Sequence, residues 1–141
     1  MIVDYKNDVH ESNEHDNNDC FFHSPKVIVH PPKPNLTCMS KGELSVSGTS
    51  IHYSWGKVKN DGGSTAGAHH VGYYLSTDQH FSTNDYKVGE DYLSSLAAGS
   101  VRTLPAFNVD AADKNIPAGT YYFGIIIDNK NQVHESDEYD N

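Results

Sequence analysis

The chain has 141 residues, room for one domain of ordinary size. Its formal net charge of −9 offers no basic stripe to neutralise phosphates, which disfavours nucleic-acid binding. No apolar run approaches the roughly 18 to 20 residues of a spanning helix, so helical membrane insertion is not expected, and Met1 is not followed by a signal-peptide pattern.

The acidity is concentrated at the two ends. Residues 1–20 and 126–141 hold 11 of the 19 acidic side chains, whereas residues 21–125 hold eight acids and eight bases. These ends are also related in sequence: Ile2–Asn17 (IVDYKNDVHESNEHDN) aligns without a gap on Ile126–Asn141 (IIDNKNQVHESDEYDN), with 11 of 16 positions identical. Repetition at a fixed offset, here 124 residues, marks an array of like modules. Residues 1–17 are therefore predicted to be the tail of a preceding repeat, its last strand and acidic motif. Residues 18–34 form a linker containing Cys20 and several prolines, and residues 35–141 form one module. Neighbouring repeats of the same chain follow as its first partners.

Four prolines fall within the 13 residues His23–Asn35, which predicts an extended, semi-rigid spacer. Residues 26–30 (KVIVH) read as a short strand that the flanking prolines confine to an edge. From Asn35 onward apolar residues recur at every second position. Leu44 and Val46 alternate with serines, Ile51, Tyr53 and Trp55 with His52 and Ser54, and Val71, Tyr73 and Leu75 with Gly72 and Tyr74. One face of each segment then points inward, as in half-buried antiparallel strands. Ser47-Gly48-Thr49, Asn60-Asp61-Gly62-Gly63 and Asp78–Asp85 supply turns between them.

Val101, Thr103, Pro105, Phe107 and Val109 form another alternating run, with Pro105 marking an edge or a bulge. Thr120–Ile127, almost continuously β-branched or aromatic, is predicted as a central strand, and a last strand is expected near Gln132–Ser136. Short helical turns are expected only at Tyr92–Ala98 and Ala111–Asn115. About seven short strands separated by turns predict an all-β fold, an immunoglobulin-like antiparallel β-sandwich. Trp55 is the expected inter-sheet core residue. No cysteine pair brackets it, so the likeness to immunoglobulins is one of architecture.

Several motifs follow one another in a fixed order over residues 35–141. They are Asn60-Asp61-Gly62 after a strand, Tyr74-Leu75-Ser76-Thr77-Asp78, Leu96-Ala97-Ala98-Gly99, Pro117-Ala118-Gly119-Thr120-Tyr121, and Asp128 through Val133 with Glu135-Ser136, Glu138 and Asn141. Together they resemble the CARDB family, the cell-adhesion-related domain found in bacteria and archaea, and Ile2–Asn17 fits that family's closing motif. The resemblance implies a seven-stranded sandwich in secreted or surface proteins of prokaryotes, repeated as spacers or adhesive modules, with no catalytic residue in the pattern. The cysteines and the proline spacer lie outside that pattern, and Asp140 stands where the family often has Asn.

Calcium is the sharpest chemical expectation, because a hard cation takes roughly six to eight oxygens from carboxylates, amides and carbonyls. Asp128, Asn129, Asn131 and Glu135 bracket a tight hairpin, with Glu138 and Asp140 close behind and without EF-hand spacing, and Asp78, Ser82, Asn84 and Asp85 lie in a second acidic loop. Turns capped by their own Asx side chains are the competing reading. His69 and His70 are adjacent and point to opposite faces of a strand, so they cannot chelate one ion, and solvent-facing strand histidines are expected. Tyr74, Tyr86 and Tyr92 are candidates for a stacking platform for sugar, while Tyr73 shares its face with Val71 and Leu75 and belongs to the core. No strained nucleophile turn of the G-x-S-x-G kind occurs, so no enzyme is expected.

Cys20 and Cys38 are the only cysteines. A disulfide between them would tie the linker to the module and stabilise it by about 3 kcal/mol; two free thiols are the alternative. The expected function is a non-catalytic extracellular or cell-surface module of a tandem-repeat protein, adhesive or spacing, stiffened by calcium, with a surface glycan or protein as external partner. The alternative is an accessory carbohydrate- or peptide-binding domain of a secreted hydrolase.

Overall fold

A computed structural model describes residues 31–138. The chain divides between Pro31 and Pro32 into two units, and every described residue except Pro31 belongs to the second. Segment 1–17, the strand expected at 26–30 and Cys20 lie outside the described residues.

Among the described residues nine strands follow in chain order: β1 (Leu36–Ser40), β2 (Glu43–Ser47), β3 (Ser50–Ser54), β4 (Lys57–Asn60), β5 (His69–Ser76), β6 (Tyr86–Leu93), β7 (Val101–Thr103), β8 (Phe107–Asp110) and β9 (Tyr122–Ile127). They form three antiparallel ladders ordered β1-β4-β7, β2-β3-β8 and β6-β5-β9. The first two ladders are the halves of one layer. Segments 36–47, 50–60 and 101–110 each run through both halves and are each interrupted once, and Leu104 N–H donates to the Gly56 carbonyl at 2.8 Å across the interruption. The second layer is β6-β5-β9, and the core lies between the two. The expected immunoglobulin-like all-β sandwich is what forms, with six chain crossings among the described residues.

The core is aromatic at its centre. Tyr73 on β5 stacks on Phe107 at 4.7 Å between ring centroids and 9° between planes, and Tyr53 on β3 packs against Tyr73 at 5.5 Å. Leu36, Val58, Val71, Val88, Leu93, Leu104 and Ile127 surround them, each at most 5% exposed. Burial raises the pKa of Tyr73, and its hydroxyl donates to Asp91 at 2.6 Å, so the buried oxygen is satisfied as a neutral phenol.

Five local expectations are corrected. Trp55 is not in the core: it is 64% exposed and has φ 65°. Inward residues are Ile51 and Tyr53 before it but Gly56, Val58 and Asn60 after it, so Trp55 is the extra residue at which the alternation changes phase, as at a β-bulge. Tyr53 takes the core place instead. Leu44 and Val46 remain 48% and 61% exposed, because no described residue covers the β2 edge. β9 forms where expected but pairs only with β5 among the described residues; β5 is the central strand, and seven of its eight residues are buried. Gln132–Ser136 is irregular rather than a strand, and Tyr92–Ala98 is the end of β6 followed by coil rather than a helical turn. The expected turn at Ala111 is present as a 3₁₀ turn, Ala111–Lys114, in which Asp110 accepts from Ala112 N–H at 3.0 Å and Asn115 ends the turn at φ 53°.

Candidate functional site

The acidic closing segment leaves β9 through a turn built by Asp128. Asp128 has φ 48°, a left-handed conformation that an aspartate tolerates, and is 6% exposed. One of its carboxylate oxygens accepts Gln132 N–H at 2.9 Å, the other accepts Val133 N–H at 2.7 Å, and its carbonyl accepts Asn131 N–H at 2.7 Å. Asn131, at φ 51°, completes the turn, and Val133 is then 4% exposed among core residues.

Beyond Val133 the segment crosses to the first strand of the other layer. Glu135 is 2% exposed, and its Oε2 accepts a short hydrogen bond from Leu36 N–H at the start of β1. Ser136 N–H donates to the Pro34 carbonyl at 3.0 Å, and Asp137 N–H donates to Asn35 Oδ1 at 3.0 Å. Glu138 Oε1 folds back to accept Glu135 N–H at 2.7 Å. The closing motif is thus a clasp that joins the exit of β9 to the entry of β1. Its carboxylates accept backbone N–H groups that the irregular chain would otherwise leave unpaired.

Asn60, a residue not singled out as a site from the sequence, anchors the other side of that entry. It is fully buried and uses its whole amide. Oδ1 accepts Asn35 N–H and Gly62 N–H, each at 3.0 Å, while Nδ2 donates to the Ser64 carbonyl at 2.8 Å and to the Leu96 carbonyl at 2.9 Å. Gly62 lies so close to the Lys33–Asn35 backbone that a Cβ there would collide with it. The sequence signal was the Asn-Asp-Gly after an alternating run, which reads equally well as a plain turn.

The second acidic loop is likewise knit by local hydrogen bonds. Asp78 Oδ1 accepts His80 N–H at 2.7 Å, Asp85 Oδ2 accepts Ser82 N–H at 2.7 Å, and Asn84 N–H donates to Ser82 Oγ at 3.3 Å. The Ser82 backbone bond is the chief reason that the Asp85 carboxyl is held below its ordinary value. Among the described residues no three His, Cys, Asp or Glu side chains are grouped so as to hold a metal. Both carboxylate oxygens of Asp128 and Oε2 of Glu135 accept backbone N–H groups, which is the work of a clasp.

The three tyrosines do not form one platform. Tyr74 is 2% exposed and its hydroxyl accepts from Asn129 Nδ2 at 2.9 Å. Tyr86 pairs across the ladder with Leu75 and meets Tyr121 edge-on, whereas Tyr92 pairs with His70 and meets its ring edge-on. The bulge between those pairs reverses the phase of β6, so Tyr86 and Tyr92 face opposite sides. The histidines also divide. His69 is fully buried, against expectation, while His70 and His52 pair with Gln132 and Asn108 at 2.6 Å. Cys38 is exposed on β1.

Asn129 links Tyr74 to Glu90 on β6. Glu90 also takes Lys130 at 2.7 Å and Lys87 at 3.1 Å, and these partners, Lys130 foremost, lower its pKa from 4.5 to about 2. A carboxylate with a depressed folded-state pKa stabilises above its unfolded value, and that contribution is lost as pH falls through the folded value. Acid melting of the wild type is therefore expected to include a loss between about pH 4.5 and 2 that Glu90→Gln removes. The effect is small, because the pair is partly solvated, and thermal melts across that pH range measure it.

The two-layer sandwich with its clasped first and last segments defines a class, the immunoglobulin-like β-sandwich module. A family model, CARDB, matches residues 33–141, and the chain belongs to the CARDB family, an adhesion-related and non-enzymatic domain family. No curated protein and no solved structure matches the chain.

Proposed function

We propose that the chain is a non-catalytic extracellular module of a tandem-repeat protein, working as an adhesive or spacing unit. The observation that carries this reading is the use made of its most chemically suggestive segment: the acids of the closing motif hold the module's two ends together instead of facing a substrate. Family membership supports the adhesive role, and the repeat of the closing motif 124 residues earlier supports the array. A clasp that fixes the exit of the last described strand against the entry of the first sets the distance between successive modules, which is what a spacer requires.

The test against the alternative, an accessory sugar- or peptide-binding domain, is a binding screen of the full chain on immobilised glycans. The spacer reading expects no saturable binding. Saturable binding abolished by Tyr92→Ala, the most exposed of the candidate rings at 64%, would replace it with the accessory-domain reading.

Calcium stiffening is a second proposal with its own measurement. A cation at Asp128 or Glu135 has to compete with amide donors, yet if it binds it raises the melting temperature in proportion to ln(1 + [L]/Kd). Under this proposal millimolar calcium raises the wild-type melting temperature and leaves Asp128→Asn/Glu135→Gln unmoved. An unchanged wild-type curve assigns these acids to the clasp alone.

A further inference from the structure

One long side of the sandwich is open. Two cavities there, of about 470 and 530 Å³, share Leu44 and Phe123 as walls and so form one groove. The first lies within the roughly 300 to 1,000 Å³ of small-molecule sites, and it has an apolar end and a polar end. Leu44 of one layer and Phe123 and Ile125 of the other wall the apolar end, joined by the Phe81 ring, which lies against Gly124 of β9. The polar end lies where the first layer is interrupted. Gly42 approaches the Gly56 backbone there too closely to leave room for a Cβ, and the Tyr53 hydroxyl sits against Gly56 in the same way. Tyr53, Cys38 and Lys41, the last adjacent to Gly42 in the chain, line this end.

Two groups at the polar end have unused hydrogen-bonding capacity. Tyr53 is 1% exposed, and its hydroxyl has no hydrogen-bond partner among the described residues, a state that native interiors rarely leave unexplained. Gly56 and Leu104 lie over the hydroxyl on the core side, whereas Cys38, which lines the cavity, is near enough to raise its pKa. Burial above all, with Cys38 adding to it, pushes the phenol up to about 12, so the hydroxyl keeps its proton and can donate it. Lys41 is exposed and makes no ion pair or hydrogen bond with a described residue. No carboxylate is among the described residues that line the cavity, so nothing there competes for the ammonium.

We propose that this end of the groove binds a single-chain fatty carboxylate, whose head pairs with Lys41 and accepts from the Tyr53 hydroxyl while its tail lies along Leu44, Phe123 and Ile125. The head reaches the hydroxyl past Cys38, whose exposed side chain turns on a single dihedral. Tails too long for the first cavity continue past Leu44 and Phe123 into the second, where Leu75 and Ile116 are further apolar wall.

The chemistry of the lining selects this class. One ammonium and one O–H donor match a monoanion with two acceptor oxygens, and a phosphate would leave most of its acceptors unserved. The absence of a lining carboxylate disfavours a cationic head, and the aromatic and aliphatic wall would strip water from the hydroxyls of a sugar without replacing their hydrogen bonds. The site therefore lies outside both the spacing role and the clasp, and it uses none of the clasp's residues.

The test is a calorimetric titration of the full chain with decanoate below its micelle concentration, beside the rate at which iodoacetamide alkylates Cys38, read by peptide mapping. Saturable one-to-one binding is expected, with alkylation of Cys38 slowed in proportion to occupancy. Tyr53→Phe and Lys41→Glu are each expected to weaken binding about tenfold or more. Tyr53→Phe gives up no hydrogen bond of the ligand-free protein, so its melting temperature should not fall, and weaker binding by that variant is then not a sign of unfolding. Decylammonium, which has the same tail and the opposite charge, is expected to bind at least about tenfold more weakly than decanoate. No saturation up to millimolar decanoate, alkylation of Cys38 unaffected by it, equal binding of decylammonium, or binding that either variant leaves unchanged would each overturn the proposal.

Discussion

Replacing Asn60 with alanine is expected to destabilise the module by about 3 to 5 kcal/mol, because around a fully buried position it takes the acceptor from two backbone N–H groups and the side-chain donor from the Ser64 and Leu96 carbonyls, of which Leu96 keeps Ala66 N–H. A domain of this size has a total stability of about 5 to 15 kcal/mol. The loss therefore amounts to a fall in melting temperature on the order of 15 to 30 °C, read by circular dichroism. Asn60→Asp separates hydrogen bonding from shape. The carboxylate keeps the two acceptor interactions but turns its other oxygen toward the Ser64 and Leu96 carbonyls, so near neutral pH it is expected to be no better than alanine. Burial and those carbonyls favour the protonated acid, which restores one donor, so Asn60→Asp should recover part of its stability as pH falls. An Asn60→Ala protein within about 1 kcal/mol of wild type would show that the amide's four bonds are not what holds this loop.

The second large effect is expected at Glu135. Its carboxylate is buried and receives the first N–H of β1, so Glu135→Ala should cost about 2 to 4 kcal/mol by orphaning the Leu36 and tail groups and opening a void beside them. Glu135→Gln keeps an acceptor at nearly the same place and gives up only the charge assistance, so its loss should be clearly smaller. Equal losses for the two substitutions would mean that the charge, and not the bond to Leu36, is what the fold uses. Chemical denaturation of both variants beside wild type decides this, since it reports the free energy directly.

The sandwich was legible because strands with one face buried must alternate, as Val71, Tyr73 and Leu75 do on β5 and Phe107 and Val109 on β8, and because Thr120–Ile127 is almost continuously β-branched or aromatic. The alternation misled where the backbone leaves the extended region. Trp55 looked like the next inward residue after Ile51 and Tyr53, but its left-handed φ inserts one residue and passes the inward phase to Gly56 and Val58. Nothing in the side chain of tryptophan announces that conformation. Leu44 and Val46 alternate correctly, yet burial depends on what lies opposite, and opposite them is a groove.

The candidate site was legible as a cluster and not as a mechanism. Asp128, Asn131, Glu135 and Glu138 are the residue types that ligate calcium and also the types that cap irregular backbone, since both tasks need carboxylate and amide oxygens at short spacing. Only their partners distinguish the two, and those partners, Gln132, Val133 and Leu36, contribute backbone N–H groups that carry no side-chain signature. Asn60 was visible as part of a turn motif, but its reach to Leu96, 36 residues away, follows from how β4 meets the segment after β6 and not from local sequence.

The most direct test of the clasp is amide hydrogen exchange of the full chain, measured with and without a calcium chelator. The amides of Leu36, Gln132, Val133 and Glu135 each donate to a carboxylate of the closing motif. They should therefore exchange only as slowly opening core strands do, and stay protected after chelation. Fast exchange at these four amides, or protection that collapses on chelation, would contradict the account.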